Sequence, residues 1–253
     1  MIALRTHGIS KGFGGVLAVQ NVTLNVQIGT VHSVIGPNGA GKTTLINLIS
    51  GIYRPDAGRI ELFGTDVTGH APERLVGHGL SRTFQNIKIF NEMTVLENVL
   101  VGAHQRLNTS ILAGMLNLPS IWKADKEVTE EAEALLETVG IADVRHADAS
   151  QISYGHLKRL EIARALASHP KLLLLDEPAA GLNASETANI ASVVKGLSEN
   201  GLGILLVEHD MSLVMAISDR ISVLDQGKTL MEGTPDEVRA DPRVIKAYLG
   251  EPA

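Results

Sequence analysis

The sequence contains no cysteine, no long apolar run and no surplus of basic residues. The absence of cysteine excludes disulfides, zinc knuckles and thiol chemistry, and it agrees with a reducing compartment. No stretch reaches the roughly 18 uninterrupted apolar residues that a membrane span needs, and the opening MIALRTHGIS lacks the pattern of a signal peptide. A net charge of −6 disfavours a nucleic-acid partner. We therefore expect a chain that is soluble by itself.

What the sequence does contain is an alternation of strand-like and helical segments, which favours an α/β domain with a largely parallel sheet. TVHSVIG is typical of a buried strand, and TTLINLISG predicts a helix that ends at Gly51. KLLLLDEP and GILLVEHD predict strands of a sheet that is covered on both faces. A hairpin is predicted around Gln226 and Gly227.

In residues 88–165 the alternation of strand and helix patterns gives way to helical patterns, which predicts a helical insertion. The segment LSRTFQN before it indicates a strand that ends near Gln85. Thr94 and Glu97 form a capping-box pattern that begins one helix, and KEVTEEAEALLETVG indicates a second. The apolar face expected for the first helix consists of Leu96, Val99, Leu100 and Ala103; that of the second consists of Ala132, Leu135, Leu136 and Val139.

The strongest motif is GPNGAGKTT, which fits the pattern G-x-x-x-x-G-K-[ST] in full and lies between a predicted strand and a predicted helix. Its glycines allow backbone N–H groups to surround a phosphate. Lys42 is placed to reach the β- and γ-phosphates of a nucleotide, and the Thr43 hydroxyl to bind Mg²⁺. The binding residues expected in this loop are Gly36, Pro37, Asn38, Gly39, Ala40, Gly41, Lys42, Thr43 and Thr44.

A second motif, LLLLDEP, brings two acidic residues to the carboxyl end of a buried strand. Two adjacent acids in such a place are costly unless a cation or water chemistry uses them. We expect Asp176 to support Mg²⁺ and Glu177 to act as the general base on the attacking water.

A third segment, ISYGHLKRLEIARAL, has a polar turn with Gly155 that opens onto a helix. The first N–H groups of a helix lack partners within it, and the helix dipole adds partial positive charge there. The segment therefore indicates a second phosphate-facing site.

Together these motifs resemble those of the nucleotide-binding subunits of ABC transporters, over essentially the whole chain. The resemblance implies a P-loop NTPase fold: a RecA-like, mostly parallel core with an antiparallel β part in residues 1–87 and 166–253, and a helical subdomain in residues 88–165. It also implies that two such domains pair head to tail. Ser153 and Gly155 of one subunit would then contact the γ-phosphate of the ATP bound to its partner.

The same resemblance implies roles for three further residues. Phe13 falls where the family stacks an aromatic ring on adenine, and Gln85 where a glutamine lies between Mg²⁺ and the membrane subunit. His209 matches the switch histidine at the γ-phosphate, so that Lys42, Glu177 and His209 are the expected catalytic residues. Three positions depart from the usual motifs: Tyr154, His156 and Asn183.

A narrower resemblance links the chain to importers of branched-chain amino acids. It is carried by LSRTFQNIKIFNEMTVLENVLVGAH, AAGLN, VEHDM and the tail GTPDEVRADPRVIKAYLGE, which are similar to the larger of two paralogous ATPase subunits. It implies two membrane permeases, a second ATPase, a periplasmic binding protein and a place on the cytoplasmic face of the inner membrane.

Other interpretations stay open at this stage. Related importers carry urea, short amides or aromatic acids. A P-loop kinase or phosphotransferase would use the phosphate loop but not the second phosphate-facing helix. An ABC ATPase of DNA repair or translation would need a long coiled coil or two ATPase halves in one chain.

Overall fold

The structure is a computed structural model that describes residues 1–83, 87–104 and 119–249. The chain forms two compact units, one from residues 1–85 and 171–253 and the other from residues 86–170. Within the described part, no helix is both long and apolar enough to cross a membrane.

The strands, in chain order, are β1 (Ile2–Phe13), β2 (Val16–Gln27), β3 (Val31–Ile35), β4 (Ala57–Leu62), β5 (Thr65–Asp66), β6 (Leu80–Arg82), β7 (Leu172–Asp176), β8 (Gly203–Val207), β9 (Arg220–Asp225) and β10 (Lys228–Gly233). The α-helices that can be described are α1 (Lys42–Ile49), α2 (Pro72–Gly77), α3 (Val95–Gly102), α4 (Pro119–Thr138), α5 (Tyr154–Leu166), α6 (Ala184–Glu199), α7 (Met211–Ile217), α8 (Pro235–Ala240) and α9 (Pro242–Leu249). Short 3₁₀ turns lie at Ala142–Val144 and Ala149–Gln151.

The first unit contains two sheets. One is antiparallel, in the order β2-β1-β4-β5, and the other has the order β10-β9-β3-β8-β7-β6. In the second sheet every neighbouring pair is parallel except β9 and β10. Strands β3, β7 and β8 are buried at every residue, as predicted for strands covered on both faces.

The carboxyl ends of β3, β7 and β8 meet at one edge of this sheet because neighbouring parallel strands run in the same direction. This edge is where ligands bind in open α/β sheets. The predicted end of α1 is confirmed, since the helix stops at Ile49 and Gly51 has a φ of +74°. The predicted hairpin is also confirmed: Gln226 and Gly227, with φ values of +46° and +79°, join β9 to β10.

In the second unit the capping box of α3 is confirmed. Thr94 Oγ1 accepts a hydrogen bond from Glu97 N at 3.2 Å, and Thr94 N donates to Glu97 Oε2 at 2.7 Å. Both bonds satisfy N–H groups that a helix start leaves without partners inside the helix.

Three predictions of local structure need correction. The buried face of α3 consists of Val95, Asn98, Val99 and Ala103, whereas Leu96 and Leu100 are only partly buried. Asn98 replaces an apolar residue there because its side chain accepts from Phe90 N and donates to Phe90 O. Helix α4 begins at Pro119, before the predicted segment, although Ala132, Leu136 and Val139 are buried as expected. Strand β6 ends at Arg82 rather than near Gln85.

Candidate nucleotide site

The loop between β3 and α1 is held close to the backbone of two other strands. Gly36 has a φ of +155°, and a Cβ atom there would lie 2.2 Å from the carbonyl oxygen of Leu224 in β9. Gly41 has a φ of +100°, and its Cβ would lie 2.3 Å from the oxygen of Ala18 in β2. Any side chain at either position would displace the loop, so the glycines of the motif are required by the fold itself.

Lys42, the first residue of α1, folds its side chain back over this loop. Its Nζ donates to Gly36 O at 2.7 Å and to Pro37 O at 3.0 Å, and the residue is 9% exposed. Burial lowers the pKa of the ammonium group, and the carboxylate of Glu177 acts in the opposite direction. The ammonium group is thus held over the loop that the motif assigns to the phosphates.

Asp176 ends β7 and is bound to Arg82, the last residue of β6. Arg82 Nη2 lies 2.9 Å from Asp176 Oδ2, and Arg82 Nη1 donates to Asn47 Oδ1 and Ser50 Oγ, each at 2.7 Å. Sequence reasoning missed Arg82. The only signal was a basic residue within a predicted strand, and the sequence does not show that this strand pairs with the one that carries Asp176.

Glu177 adopts an unusual backbone conformation at the end of β7. Its φ is +49°, in the left-handed region that non-glycine residues rarely occupy, and its N–H donates to Val207 O at 2.8 Å. Residues held in this way cluster at functional sites. His209 Nδ1 lies 3.7 Å from Glu177 Oε1, so the structure brings together the predicted base and the predicted switch histidine.

Glu208 is a fully buried acid whose Oε2 lies 3.7 Å from His209 Nδ1, and sequence reasoning missed it as well. Its Oε1 accepts from Ala179 N at 2.9 Å, and its Oε2 accepts from His209 N at 2.9 Å. A glutamate beside the histidine in GILLVEHD was the available signal. The hydrogen bond from Ala179 N to Glu208 could not be predicted from the sequence.

Asn183 follows the turn after Glu177 and caps α6. Its Oδ1 accepts from Ser185 N and Glu186 N, each at 3.0 Å. Asparagine and aspartate are equally good at this cap position. The neutral residue therefore preserves the helix start that an aspartate would give.

Ser153 and Gly155 lie in the other compact unit, at the start of α5. Ser153 is the N-cap, and its Oγ accepts from His156 N at 3.2 Å and lies 2.9 Å from His156 Nδ1. Ser153 and Tyr154 are exposed, whereas Gly155 is buried. His156, which differs from the residue usual at this position of the motif, thus contacts Ser153 directly.

Phe13 lies at the end of β1 with 43% of its surface exposed. Its ring meets Tyr53 edge to face at a centroid distance of 5.2 Å, and Lys11 Nζ lies 5.6 Å from the centroid of Phe13. The exposed part of this ring is available for stacking. Gln85 lies outside the described residues.

Thr43 and Asp176 supply oxygen donors that fit Mg²⁺. Magnesium is usually held by one or two carboxylates together with substrate phosphates rather than by a complete protein cage. Thr43 is exposed at the start of α1, and Asp176 ends β7, the strand that continues into Glu177. A hydroxyl and a carboxylate are the donor types that such a shared site requires.

Comparison with known proteins places this site in a family. The profile described as "ABC transporter" matches residues 19–180, and the profile described as "Branched-chain amino acid ATP-binding cassette transporter" matches residues 228–253. The chain is 46% identical to the high-affinity branched-chain amino acid transport ATP-binding protein BraF of Pseudomonas aeruginosa and 45% identical to LivG of Escherichia coli. Each alignment covers 98% of both chains.

A solved structure agrees in fold. The ADP conformation of an ATP-binding cassette of an ABC transporter superposes with a TM-score of 0.87 and 36% identity, over 99% of this chain and 100% of that one. Fold and site therefore define an ATP-binding cassette ATPase. The chain belongs to the ABC transporter family, whose ATP-binding subunits hydrolyse ATP to drive transport. The family predicted from the sequence is confirmed, and the kinase and repair interpretations are excluded.

Proposed function

We propose that this chain is the ATP-hydrolysing subunit of an importer for branched-chain amino acids, bound at the cytoplasmic face of the plasma membrane. The observation that carries the proposal is the full-length identity of 45–46% to transport subunits named for these substrates. The separate match of residues 228–253 to a branched-chain profile supports the same subfamily. Urea, short amides and aromatic acids are the competing substrates.

In this proposal the first unit binds the nucleotide. The loop from Gly36 to Thr44 surrounds the phosphates, Lys42 exchanges the carbonyl groups of its own loop for phosphate oxygens, and Phe13 stacks on adenine. Thr43, Asp176 and Gln85 would hold Mg²⁺, which offsets the charge of the β- and γ-phosphates when it is bound.

Glu177 and His209, which come after β7 and β8, carry out hydrolysis in this proposal. Water attacks the γ-phosphorus, the bond to the bridging oxygen of ADP breaks, and Glu177 accepts the proton that water loses. His209, whose Nδ1 lies 3.7 Å from Glu177 Oε1, binds the γ-phosphate and loses this contact when the phosphate leaves. The left-handed backbone of Glu177 fixes the direction from which its carboxylate approaches the water.

The second half of each site comes from a partner ATPase in this proposal. Ser153 and Gly155, in the helical subdomain of residues 88–165, present the start of α5 to the γ-phosphate held by residues 1–87 and 166–253 of the partner. Helix starts favour such anions. The partner is a paralogous ATPase, and two permease subunits and a periplasmic binding protein complete the importer.

Uptake by cells tests the proposed substrate. A strain that lacks the gene is complemented with the wild-type chain or with Lys42→Ala, and uptake of labelled leucine, isoleucine, valine, urea and phenylalanine is measured. We expect the wild-type chain alone to restore uptake of the three branched-chain amino acids. Restoration confined to urea or phenylalanine would contradict the substrate assignment.

A further inference from the structure

Glu208 joins the two loops that carry the hydrolysis residues. It follows β8 directly and is fully buried. One carboxylate oxygen accepts from Ala179 N at 2.9 Å, two residues after Glu177. The other accepts from His209 N at 2.9 Å and from Asp210 N at 3.4 Å. A single side chain therefore connects the backbone after Glu177 with the backbone of His209.

The sheet itself does not depend on this connection. Strands β7 and β8 pair from Leu172 with Gly203 to Asp176 with Val207, and Glu177 N donates to Val207 O at 2.8 Å. The parallel ladder ends there. Beyond it, the hydrogen bond from Ala179 N to Glu208 ties the loop after Glu177 to the loop that begins with His209.

A buried carboxylate is costly unless hydrogen bonds compensate for its lost hydration. Here the compensation comes from backbone N–H groups on both loops, and no shorter or apolar side chain could accept all of them. The cost of burying Glu208 is therefore offset only when both loops hold their present positions. Glu177, with its φ of +49°, is a residue whose conformation needs such surroundings to persist.

We propose that Glu208 is a positioning residue for ATP hydrolysis. It fixes the separation between the carboxylate of Glu177 and the imidazole of His209, and it contacts neither ATP nor the attacking water. The inference rests on the proposed role of Glu177 as general base. It predicts that Glu208 affects the chemical step and leaves nucleotide binding at the Lys42 loop unchanged.

Glu208→Gln tests this proposal. The amide keeps the size of the side chain but places an NH₂ group against the N–H of either Ala179 or His209, so that one loop loses its acceptor. We expect kcat to fall by about 10- to 100-fold, since a misplacement of about 1 Å has effects of this size. KM and the Kd for ATP should stay within about twofold of the wild-type values.

Glu237→Gln is the control for the chemical change, at an exposed glutamate. Glu237 Oε2 likewise accepts a backbone N–H, from Thr234 at 2.7 Å, but in the capping box of α8. The same chemical change there should leave kcat unchanged. A Glu208→Gln variant whose kcat stays within twofold of wild type, or whose loss appears in KM and Kd instead, would overturn the proposal.

A double variant separates positioning from general damage. If Glu208 acts by fixing the distance between the Glu177 carboxylate and the His209 imidazole, then removing that carboxylate removes what Glu208 controls. Adding Glu208→Gln to Glu177→Gln should therefore leave the residual single-turnover rate within about twofold, since the two effects are not additive. A further loss equal to the effect of Glu208→Gln alone would overturn the proposal. If Glu208→Gln does not fold, Glu208→Asp is judged by the same kcat and KM criteria, because it keeps the charge but is too short to hold both loops.

These measurements distinguish the failure of this inference from the failure of the proposed function. Full turnover by Glu177→Gln would reject the proposed base, whatever Glu208 does. Loss of turnover in Glu177→Gln together with normal turnover in Glu208→Gln would reject only the positioning role.

Discussion

Arg82 and Asp176 form an almost fully buried ion pair, with Nη2 and Oδ2 2.9 Å apart and side chains 10% and 6% exposed. The same guanidinium group donates to Asn47 and Ser50 at the end of the helix that follows the phosphate loop. One side chain thus links β6, β7 and α1. Arg82 thereby connects Asp176, a predicted metal ligand, with the helix that begins after the phosphate loop.

This pair predicts a large effect on stability. Arg82→Met should lower the free energy of unfolding by about 3–5 kcal/mol, because it leaves the buried carboxylate of Asp176 without this cation. Arg243→Met is the control, because Arg243 pairs with Asp241 while 63% exposed and solvent-exposed ion pairs contribute little to stability. Urea unfolding measures both.

The double variant Arg82→Met/Asp176→Asn tests whether the effect comes from the pair itself. It should be more stable than Arg82→Met alone, since the uncompensated charge is removed. A loss in Arg82→Met no larger than that in Arg243→Met would show that the pair contributes little.

His32 predicts a pH dependence of stability. It is buried in β3 with Nε2 2.9 Å from Ser222 Oγ, and burial lowers its pKa from 6.5 to about 4, against the opposing effect of Glu232. Between these two values the unfolded chain binds a proton that the folded chain does not. Stability should therefore fall as the pH falls from about 6.5 to about 4, by up to about 1.4 kcal/mol per pH unit from this residue.

His32→Gln isolates the contribution of this histidine. Chemical unfolding of both chains between pH 4 and 8 should show a shallower decrease below pH 6.5 in the variant and no difference in slope above pH 7. Parallel curves over the whole range would contradict the assignment. Carboxylates whose pKa is lowered, such as Asp56 and Glu61, are the same in both chains and cancel in the comparison.

The proposed shared site predicts complementation between two inactive chains. Lys42→Ala removes the phosphate loop of its own site, and Gly155→Asp places a negative side chain against the γ-phosphate bound by the partner. Each variant alone should be inactive. In a mixed pair, the Gly155→Asp chain supplies Lys42 and the Lys42→Ala chain supplies an intact α5 start, so one composite site is whole.

ATP hydrolysis by the mixture, at a concentration that favours pairing, measures this complementation. Partial recovery over the separate variants is the expected result. If hydrolysis needs two intact sites, the mixture will not hydrolyse ATP, but its one intact site should still trap ATP, which is measured separately. The absence of both hydrolysis and ATP trapping, in mixtures that crosslinking shows to contain mixed pairs, would contradict a shared site.

The sequence predicted those elements whose signals are local. The strand, glycine loop and helix around Lys42, the capping box at Thr94 and the hairpin at Gln226 each depend on residues within a few positions of one another. Helix caps, turns and periodic burial are determined by residues that are close together in the sequence, so a local pattern is enough to predict them.

Contacts between distant parts of the chain could not be predicted in this way. Arg82 and Asp176 are 94 positions apart, and Ala179 and Glu208 are 29 apart. Neither the pairs nor the burial of Glu208 follows from periodicity or composition. The burial of Asn98 was missed for a related reason: its partner is the backbone of Phe90 in the loop before the helix, and a helical pattern carries no information about that loop.

Turnover by Glu177→Gln tests the hydrolysis chemistry most directly. The amide retains the size of the side chain but cannot accept the proton of the attacking water, so kcat should fall by about 10² to 10⁴ while the Kd for ATP stays within about twofold of wild type. Lys42→Ala sets the background of the assay, and Glu237→Gln is the control for the substitution. Near-normal turnover by Glu177→Gln above that background would contradict the assignment of Glu177 as the general base.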